Sequence, residues 1–137
     1  MEMLTLCHKR DLFLEISDCL EKWCETNRLM NADVMLPLYH EQSVLLGTFA
    51  NKMCTTHAQI HKYFSFLYGG KKSNFDVTLT QKIIYEQNFI VFTTDKYLFT
   101  WQLKEAKEQV SARFTFVYAN IGNQWKIFHH HSSVLPQ

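Results

Sequence analysis

The spacing of hydrophobic positions changes once along the chain, from helical steps in the first half to alternation in the second. Across residues 9–27, apolar side chains recur every three or four positions: Leu12, Ile16, Cys19, Leu20 and Trp23. Acidic residues occupy the opposite side of the same stretch. This spacing predicts an amphipathic helix with one buried face.

A short helix and a short strand are predicted next. Asn31 is suited to cap a helix from Ala32 to Tyr39, because its side-chain oxygen accepts from a free backbone N–H. Pro37 should loosen the last turn of that helix. The apolar run Ser43–Thr48 predicts a strand.

A third helix is predicted to begin after Thr55 or Thr56 and to run to about residue 67, where a Gly-Gly pair ends it. One side of this helix is apolar and should face the core. The residues of that stripe are Ile60, Tyr63, Phe64 and Leu67.

From residue 74 onward the pattern favours strands. Residues 77–85 alternate loosely, and Phe89–Thr94 with Tyr97–Leu103 predict either one long strand or a broken pair. The polar residues 104–109 are expected to connect this region to the final hairpin.

The last hairpin consists of two aromatic-rich strands, 112–118 and 125–131, joined by a turn at residues 120–123 that contains Gly and Asn. Alternation sorts the return strand into two faces. One face is predicted to hold Trp125, Ile127, His129 and His131, and the other Lys126, Phe128 and His130.

Helices followed by an antiparallel meander predict an α+β fold with the helices packed on one face of a sheet. The length of 137 residues predicts a single domain, 1–137.

Composition excludes several classes of partner. The net charge is +1, with basic residues scattered, so neither nucleic acid nor a membrane surface is expected as a partner. No apolar run reaches the roughly 20 residues that a membrane span needs. The four cysteines form no C-x-x-C motif, and free thiols in the cytoplasm are expected.

Two blocks of sequence carry a family resemblance. Residues 125–136 read W-x-I-x-H-H-H-S-S-x-x-P, and residues 51–64 fit the pattern N-[KR]…T-x-x-x-I-x-x-Y-F. The chain thereby resembles the NTF2-like/SnoaL-like superfamily. Within it, the most similar branch is that of the calcium/calmodulin-dependent protein kinase II association domain and the SgcJ/EcaC-type proteins.

The resemblance implies an NTF2-like cone, with N-terminal helices packed on the concave face of a curved, mostly antiparallel sheet. It also implies self-assembly and one cavity per subunit. His61 matches a histidine on the third helix of the kinase association domain. That domain also has basic residues in its cavity, and Phe116 stands at one of those positions here, which favours a more apolar pocket.

The run His129-His130-His131 raises the question of a metal. His129 and His131 share a strand face, and His57 and His61 lie one helical turn apart. No Cys, Asp or Glu stands beside either pair. We therefore assign these histidines to the pocket or the core, and we expect neither a metal nor another cofactor.

Two functions are compatible with these features. The preferred one is a binding or assembly module without chemistry of its own. The alternative is a small-molecule enzyme of the isomerase, cyclase or hydrolase kind that uses cavity His or Tyr residues as acid and base. A carboxylate pointing into the cavity would favour the enzyme, whereas a cavity filled by Phe and Trp side chains would favour the module.

The predicted pocket opens between the third helix and the last strands and has mostly apolar walls. Neutral imidazoles both donate and accept, so a small organic molecule with a carbonyl or carboxylate is the expected ligand. Tyr118 belongs either to this pocket or to a dimer seam. The candidate ligand-binding residues are Tyr39, His61, Tyr63, Tyr118, Trp125, His129 and His131.

Self-association is expected through the outer face of the sheet. Phe128 and the apolar run Phe89–Phe92 would expose more ring surface than a monomer usually tolerates. Closed symmetric pairing is the common remedy. We therefore predict a homodimer or a larger ring.

Overall fold

The computed structural model describes residues 5–6 and 10–136, with the side chains of residues 11–80 and 82–136. The predicted helix start at residue 9 and the thiol of Cys7 lie outside these ranges. In chain order the elements are β1 (Thr5–Leu6), α1 (Arg10–Arg28), α2 (Ala32–Met35), a 3₁₀ turn (Leu36–Leu38), β2 (Tyr39–Leu46), α3 (His57–Leu67), β3 (Lys72–Gln87), β4 (Ile90–Leu103), β5 (Ala106–Ile121) and β6 (Gln124–Val134).

Helix α1 confirms the amphipathic pattern, and its apolar stripe packs into the core. Its C-terminal end is held by buried polar contacts. Asn27 donates to the carbonyl of Trp23 at 2.9 Å and accepts from the hydroxyl of Tyr68 at 2.7 Å, which joins α1 to the end of α3. Arg28 also pairs with Asp76 of β3 at 2.7 Å.

The two predicted N-caps are observed. Asn31 accepts from the backbone N–H of Asp33 at 2.9 Å, and Thr56 accepts from that of Gln59 at 3.2 Å. Pro37 shortens α2, because the chain continues as a 3₁₀ turn. As a consequence Tyr39 is extended and opens β2, so the prediction of Tyr39 in a helix is wrong.

The sheet has six strands in the order β1-β3-β4-β5-β6-β2. Every neighbouring pair is antiparallel except β2 and β6, which are parallel. Helices on one face of this curved sheet make the predicted α+β class correct. No helix within the described residues is long and apolar enough to cross a bilayer.

The predicted connection at residues 104–109 is wrong. Strand β5 begins at Ala106, and Lys107 and Glu108 pair with Gln102 and Trp101 of β4. This end of the β5 strand is exposed on both faces. It therefore lacks the apolar alternation by which a strand is recognised.

The final hairpin contains a β-bulge, and this bulge decides which side chains of β6 face the interior. Its turn has positive φ at Gly122 and Asn123, 60° and 63°, as a two-residue hairpin turn requires. Farther along, the pairing passes from Tyr118–Ile127 directly to Val117–His129, so that Phe128 has no partner on β5. This β-bulge shifts the alternation of β6 by one residue.

Candidate functional site

The bulge at Phe128 turns His130, rather than His129 and His131, toward the helices. His130 is buried, whereas His129 is half-buried and His131 is exposed. The predicted placement of His129 and His131 on the face of Trp125 and Ile127 is therefore wrong. The extra residue reverses the face of every later side chain on β6.

His130 belongs to a buried cross-strand row that spans five of the six strands of the sheet. Each member is paired with the next in register, and each is at most 3% exposed. The row consists of Ile84, Thr93, Phe116, His130 and Leu45.

Aromatic rings close over this row. The ring of Phe116 stacks on His130 with centroids 4.0 Å apart. Trp23 of α1 meets the edge of the same imidazole at 5.4 Å and stacks on Tyr97 at 5.5 Å. The space around His130 is thus occupied by the chain's own side chains.

A chain of hydrogen bonds passes through His130. The indole N–H of Trp23 donates to the Tyr39 hydroxyl at 3.1 Å, and that hydroxyl lies 2.8 Å from Nδ1 of His130. On the other side, Nε2 lies 3.1 Å from the Tyr97 hydroxyl, which donates to Ser132. Ser132 in turn contacts the hydroxyl of Thr48.

The network selects one tautomer of His130. The hydroxyl of Tyr39 accepts from Trp23, so its own O–H donates to Nδ1 of His130. The ring proton of His130 is therefore assigned to Nε2, which donates to the hydroxyl of Tyr97. Burial, followed by the charges of His129 and His131, lowers the pKa of His130 well below its usual range. His130 is therefore a neutral structural group with both nitrogens occupied.

His61 does not point inward as predicted. Its Nε2–H donates to Asp33 of α2 at 2.7 Å on the exposed side of α3. The buried stripe of α3 is centred on Ile60 and Phe64, and His61 lies beside it. His57, one turn earlier, donates to the carbonyl of Tyr39 at 2.7 Å and so fixes the start of β2.

Tyr39 and Tyr63 are buried and belong to the core. Burial raises the pKa of Tyr63 to about 12, and its hydroxyl accepts from the backbone N–H of Phe49 at 3.5 Å. The ring of Tyr63 lies against Gly47, where a Cβ would collide with it. A glycine is required at residue 47 by this close approach.

Tyr118 and Trp125 do lie beside open space. They line a cavity of about 330 Å³ between α1, the 3₁₀ turn and the last hairpin. The indole N–H of Trp125 donates to Glu15 of α1 at 3.1 Å, which holds the ring as one wall. We call this space the hairpin cavity; its lining also includes Lys22, Leu38, Lys126 and Ile127.

The outer face of the sheet carries two cross-strand rows without Asp, Glu, Lys or Arg. Their members are mostly half-buried. We call them the outer rows. They consist of Tyr85, Phe92, Val117, His129 and Val44, and of Ile83, Thr94, Thr115, His131 and Leu46.

Among the described residues no group of three or more His, Cys, Asp or Glu side chains is placed to hold a metal. His129 and His131 share the outer face with Val117 and Thr115, which offer no additional strong ligand. Cys19, Cys24 and Cys54 are free thiols. Burial raises the pKa of Cys24 to about 12, so this thiol is no nucleophile at neutral pH.

Comparison with known proteins agrees with this geometry. The SnoaL-like domain family matches residues 16–137. A Xanthomonas campestris protein, described as a candidate calcium/calmodulin-dependent protein kinase II association domain, is 27% identical with a TM-score of 0.82, over 90% of this chain and 87% of that one.

More distant structures share the fold. An NTF2-like superfamily protein from Salmonella enterica is 15% identical with a TM-score of 0.79, over 90% of this chain and 91% of its own. A candidate dehydratase of the NTF2-like family from Streptomyces avermitilis is 10% identical with a TM-score of 0.81, over 93% and 99%. No curated protein gives a significant match. The match over residues 16–137 leads to one conclusion: the chain belongs to the SnoaL-like domain family, and its fold is the one that the NTF2-like structures share.

Proposed function

We propose that the chain is a self-assembling binding domain without chemistry of its own. The observation that carries this proposal is the filled interior, where Trp23, Phe116 and His130 pack against one another at centroid distances of 4.0–5.4 Å. An acid–base enzyme of this fold would need room for a substrate beside a titrating group.

The alternative of an isomerase, cyclase or hydrolase rests on the fold alone. A candidate dehydratase is among the structural neighbours, but at 10% identity it shares only the architecture. In this chain no Asp or Glu is among the buried residues of the described part. The buried imidazole of His130 is already bonded on both sides. These features favour the binding module.

The outer rows support assembly with a second copy of the chain. They place apolar and uncharged polar side chains across five strands, and the nearest basic pair, Lys96 and Arg113, stands at their border. A face of this kind costs little to desolvate, and two-fold pairing lets the same face serve both partners. A homodimer, or a ring built from such dimers, is the assembly that we propose.

Multi-angle light scattering tests the assembly. We expect a mass of at least twice the chain mass of 16.3 kDa at micromolar concentration. Val117→Glu places a charge in the middle of the outer rows and should shift the protein toward monomer. Val34→Glu makes the same change on exposed α2, away from the sheet, and should leave the mass unchanged.

Two results would overturn the proposal of assembly. One is a wild-type protein that remains a monomer of about 16.3 kDa across the concentration range. The other is a Val117→Glu variant that remains folded and keeps the full oligomer mass, because the interface would then lie elsewhere.

A cytoplasmic location is part of this proposal. Three described cysteines, Cys19, Cys24 and Cys54, are free thiols. Persistent thiols fit a reducing compartment. Fractionation of cells that express the untagged chain would test the location.

A further inference from the structure

The hairpin cavity lies apart from the outer rows, on the helix-covered side of the sheet. It is bounded by Cys19 and Lys22 of α1, by Leu38 of the 3₁₀ turn, and by the last hairpin. Its volume of about 330 Å³ is enough for one six-membered ring with substituents, near the lower end of ligand-site volumes.

One residue of the cavity lining carries a buried hydroxyl that has no partner within the described residues. Tyr118 lines the cavity, is 2% exposed, and its Oη makes no hydrogen bond within the described residues. Burial, followed by the nearby thiols of Cys19 and Cys24, raises the pKa of Tyr118 well above its usual range, so the hydroxyl stays protonated. A buried donor left unpaired is costly, and a ligand oxygen would satisfy it.

The charged lining is of one sign. Among the described residues around the cavity, the charged ones are Lys22 and Lys126. Lys126 is held in place because its ammonium group donates to the carbonyl of Pro37 at 2.6 Å. An ammonium group has three donors, so two remain for a ligand.

The rest of the lining combines apolar side chains with the amide of Gln124. Trp125 is fixed through its bond to Glu15, and Leu38 and Ile127 complete the sides. An aromatic wall favours a planar body, since offset stacking adds to the burial of surface.

We propose that the hairpin cavity binds a planar organic acid that carries an additional oxygen, with its carboxylate between Lys22 and Lys126 and its second oxygen on Tyr118. An aromatic hydroxy acid is the chemical class that satisfies all three groups at once. The site goes beyond self-assembly and does not depend on it, because none of its lining residues belongs to the outer rows.

Isothermal titration calorimetry with para-hydroxybenzoate as the probe tests the site. Two comparison compounds separate the contributions: para-hydroxybenzyl alcohol lacks the charge, and benzoate lacks the second oxygen. We expect binding of para-hydroxybenzoate to be about two- to tenfold tighter than that of benzoate, the range that one hydrogen bond contributes. The uncharged alcohol should bind most weakly.

Three variants assign the contacts. Tyr118→Phe keeps the ring and should abolish the preference for para-hydroxybenzoate over benzoate. Lys126→Met should weaken binding of either acid about five- to tenfold. Lys22 is more exposed, so Lys22→Met should weaken binding only about two- to fivefold. Lys62→Met, on the surface of α3 outside the cavity, is the matched control and should change nothing.

NMR chemical shifts locate the bound probe, and the perturbed amides should cluster around Lys22, Tyr118 and Lys126. The proposal is overturned if para-hydroxybenzoate does not bind at millimolar concentration. It is also overturned if the uncharged alcohol binds equally well, or if a folded Tyr118→Phe variant keeps the preference. Repeating the titration with Val117→Glu separates this result from assembly, since binding should persist in that variant.

Discussion

The hydroxyl of Tyr39 lies 2.8 Å from Nδ1 of His130, so the first residue of β2 is tied to the middle of β6 inside the core. The same imidazole reaches Tyr97 of β4 through Nε2 at 3.1 Å. One side chain therefore joins three strands, and its loss removes one hydrogen bond from each of two buried hydroxyls.

We expect His130→Ala to lower the free energy of unfolding by about 3–5 kcal/mol, from the cavity and the two lost hydrogen bonds together. Urea unfolding followed by circular dichroism measures this change. His61→Ala removes an exposed pair with Asp33 and should cost less than about 1 kcal/mol. Equal losses in the two variants would contradict the structural role of His130.

The depressed pKa of His130 predicts that stability falls in acid. An unfolded histidine titrates near pH ~6.5. Below that pH the unfolded chain takes up a proton that the native chain refuses, so unfolding becomes easier as the pH falls. From this residue we expect a loss of up to about 1.4 kcal/mol per pH unit.

His130→Gln tests the origin of that dependence, because glutamine donates and accepts but does not titrate. Unfolding of the variant should depend less steeply on pH between about 7.5 and about 5.5 than unfolding of the wild type. An unchanged slope would mean that other groups govern acid stability.

Acid should also weaken assembly. Burial, then the charge of His131, lowers the pKa of His129 on the outer rows, and the bordering Lys96 and Arg113 are positive as well. Protonation would place like charges on a face that has to be desolvated. Light scattering at constant ionic strength should therefore show more monomer near pH ~5.5 than near pH ~7.5. A His129→Gln variant should lose most of this response, and an unchanged response would exclude His129 as its source.

Gly47→Ala should destabilise the protein by about 2 kcal/mol or more, because the new methyl group would overlap the ring of Tyr63. At Gly69 the nearest atom to an added Cβ is the carbonyl oxygen of Ser65 at 3.3 Å, so Gly69→Ala is a milder control. Thermal unfolding of both variants distinguishes the two positions. A double change with Tyr63→Leu should recover part of the loss, as expected for residues in contact.

Untagged protein should contain less than one equivalent of zinc, nickel or copper per chain. His129 and His131 face the same side of the sheet, but two imidazoles alone make a weak site. Elemental analysis gives the metal content, and a chelator should leave the melting temperature unchanged. A tightly held ion that disappears when His129 and His131 are replaced together would refute this prediction.

Local signals made much of the fold predictable from sequence. The stripe of α1, the caps at Asn31 and Thr56 and the Gly-Asn turn each depend on a few adjacent residues. The role of His130 did not follow from such signals. Strict alternation from Trp125 placed His130 on the outer face of the sheet. The bulge that reverses the faces depends on how β6 pairs with β5 and β2.

The candidate site was predictable only in part. Trp125 was a candidate pocket residue, and Tyr118 was left open between the pocket and a dimer seam; the role of both toward a ligand stays a prediction. Lys22 and Lys126 were not predicted to line a cavity, because a lysine opposite an apolar stripe normally faces solvent. Their convergence depends on the way α1 crosses the last hairpin, which no short stretch of sequence encodes.

The parallel pairing of β2 with β6 has a consequence for the order of folding. Tyr39 and His130 are 91 residues apart, and β2 has no other strand beside it in the described sheet. During synthesis, the ladder of β2 and the bond of Tyr39 to His130 must wait for β6 before they can form. Closure of so long a loop is slow. Pairing of β2 is therefore a late step of folding, and until β6 reaches it the β2 edge is open to any other extended segment.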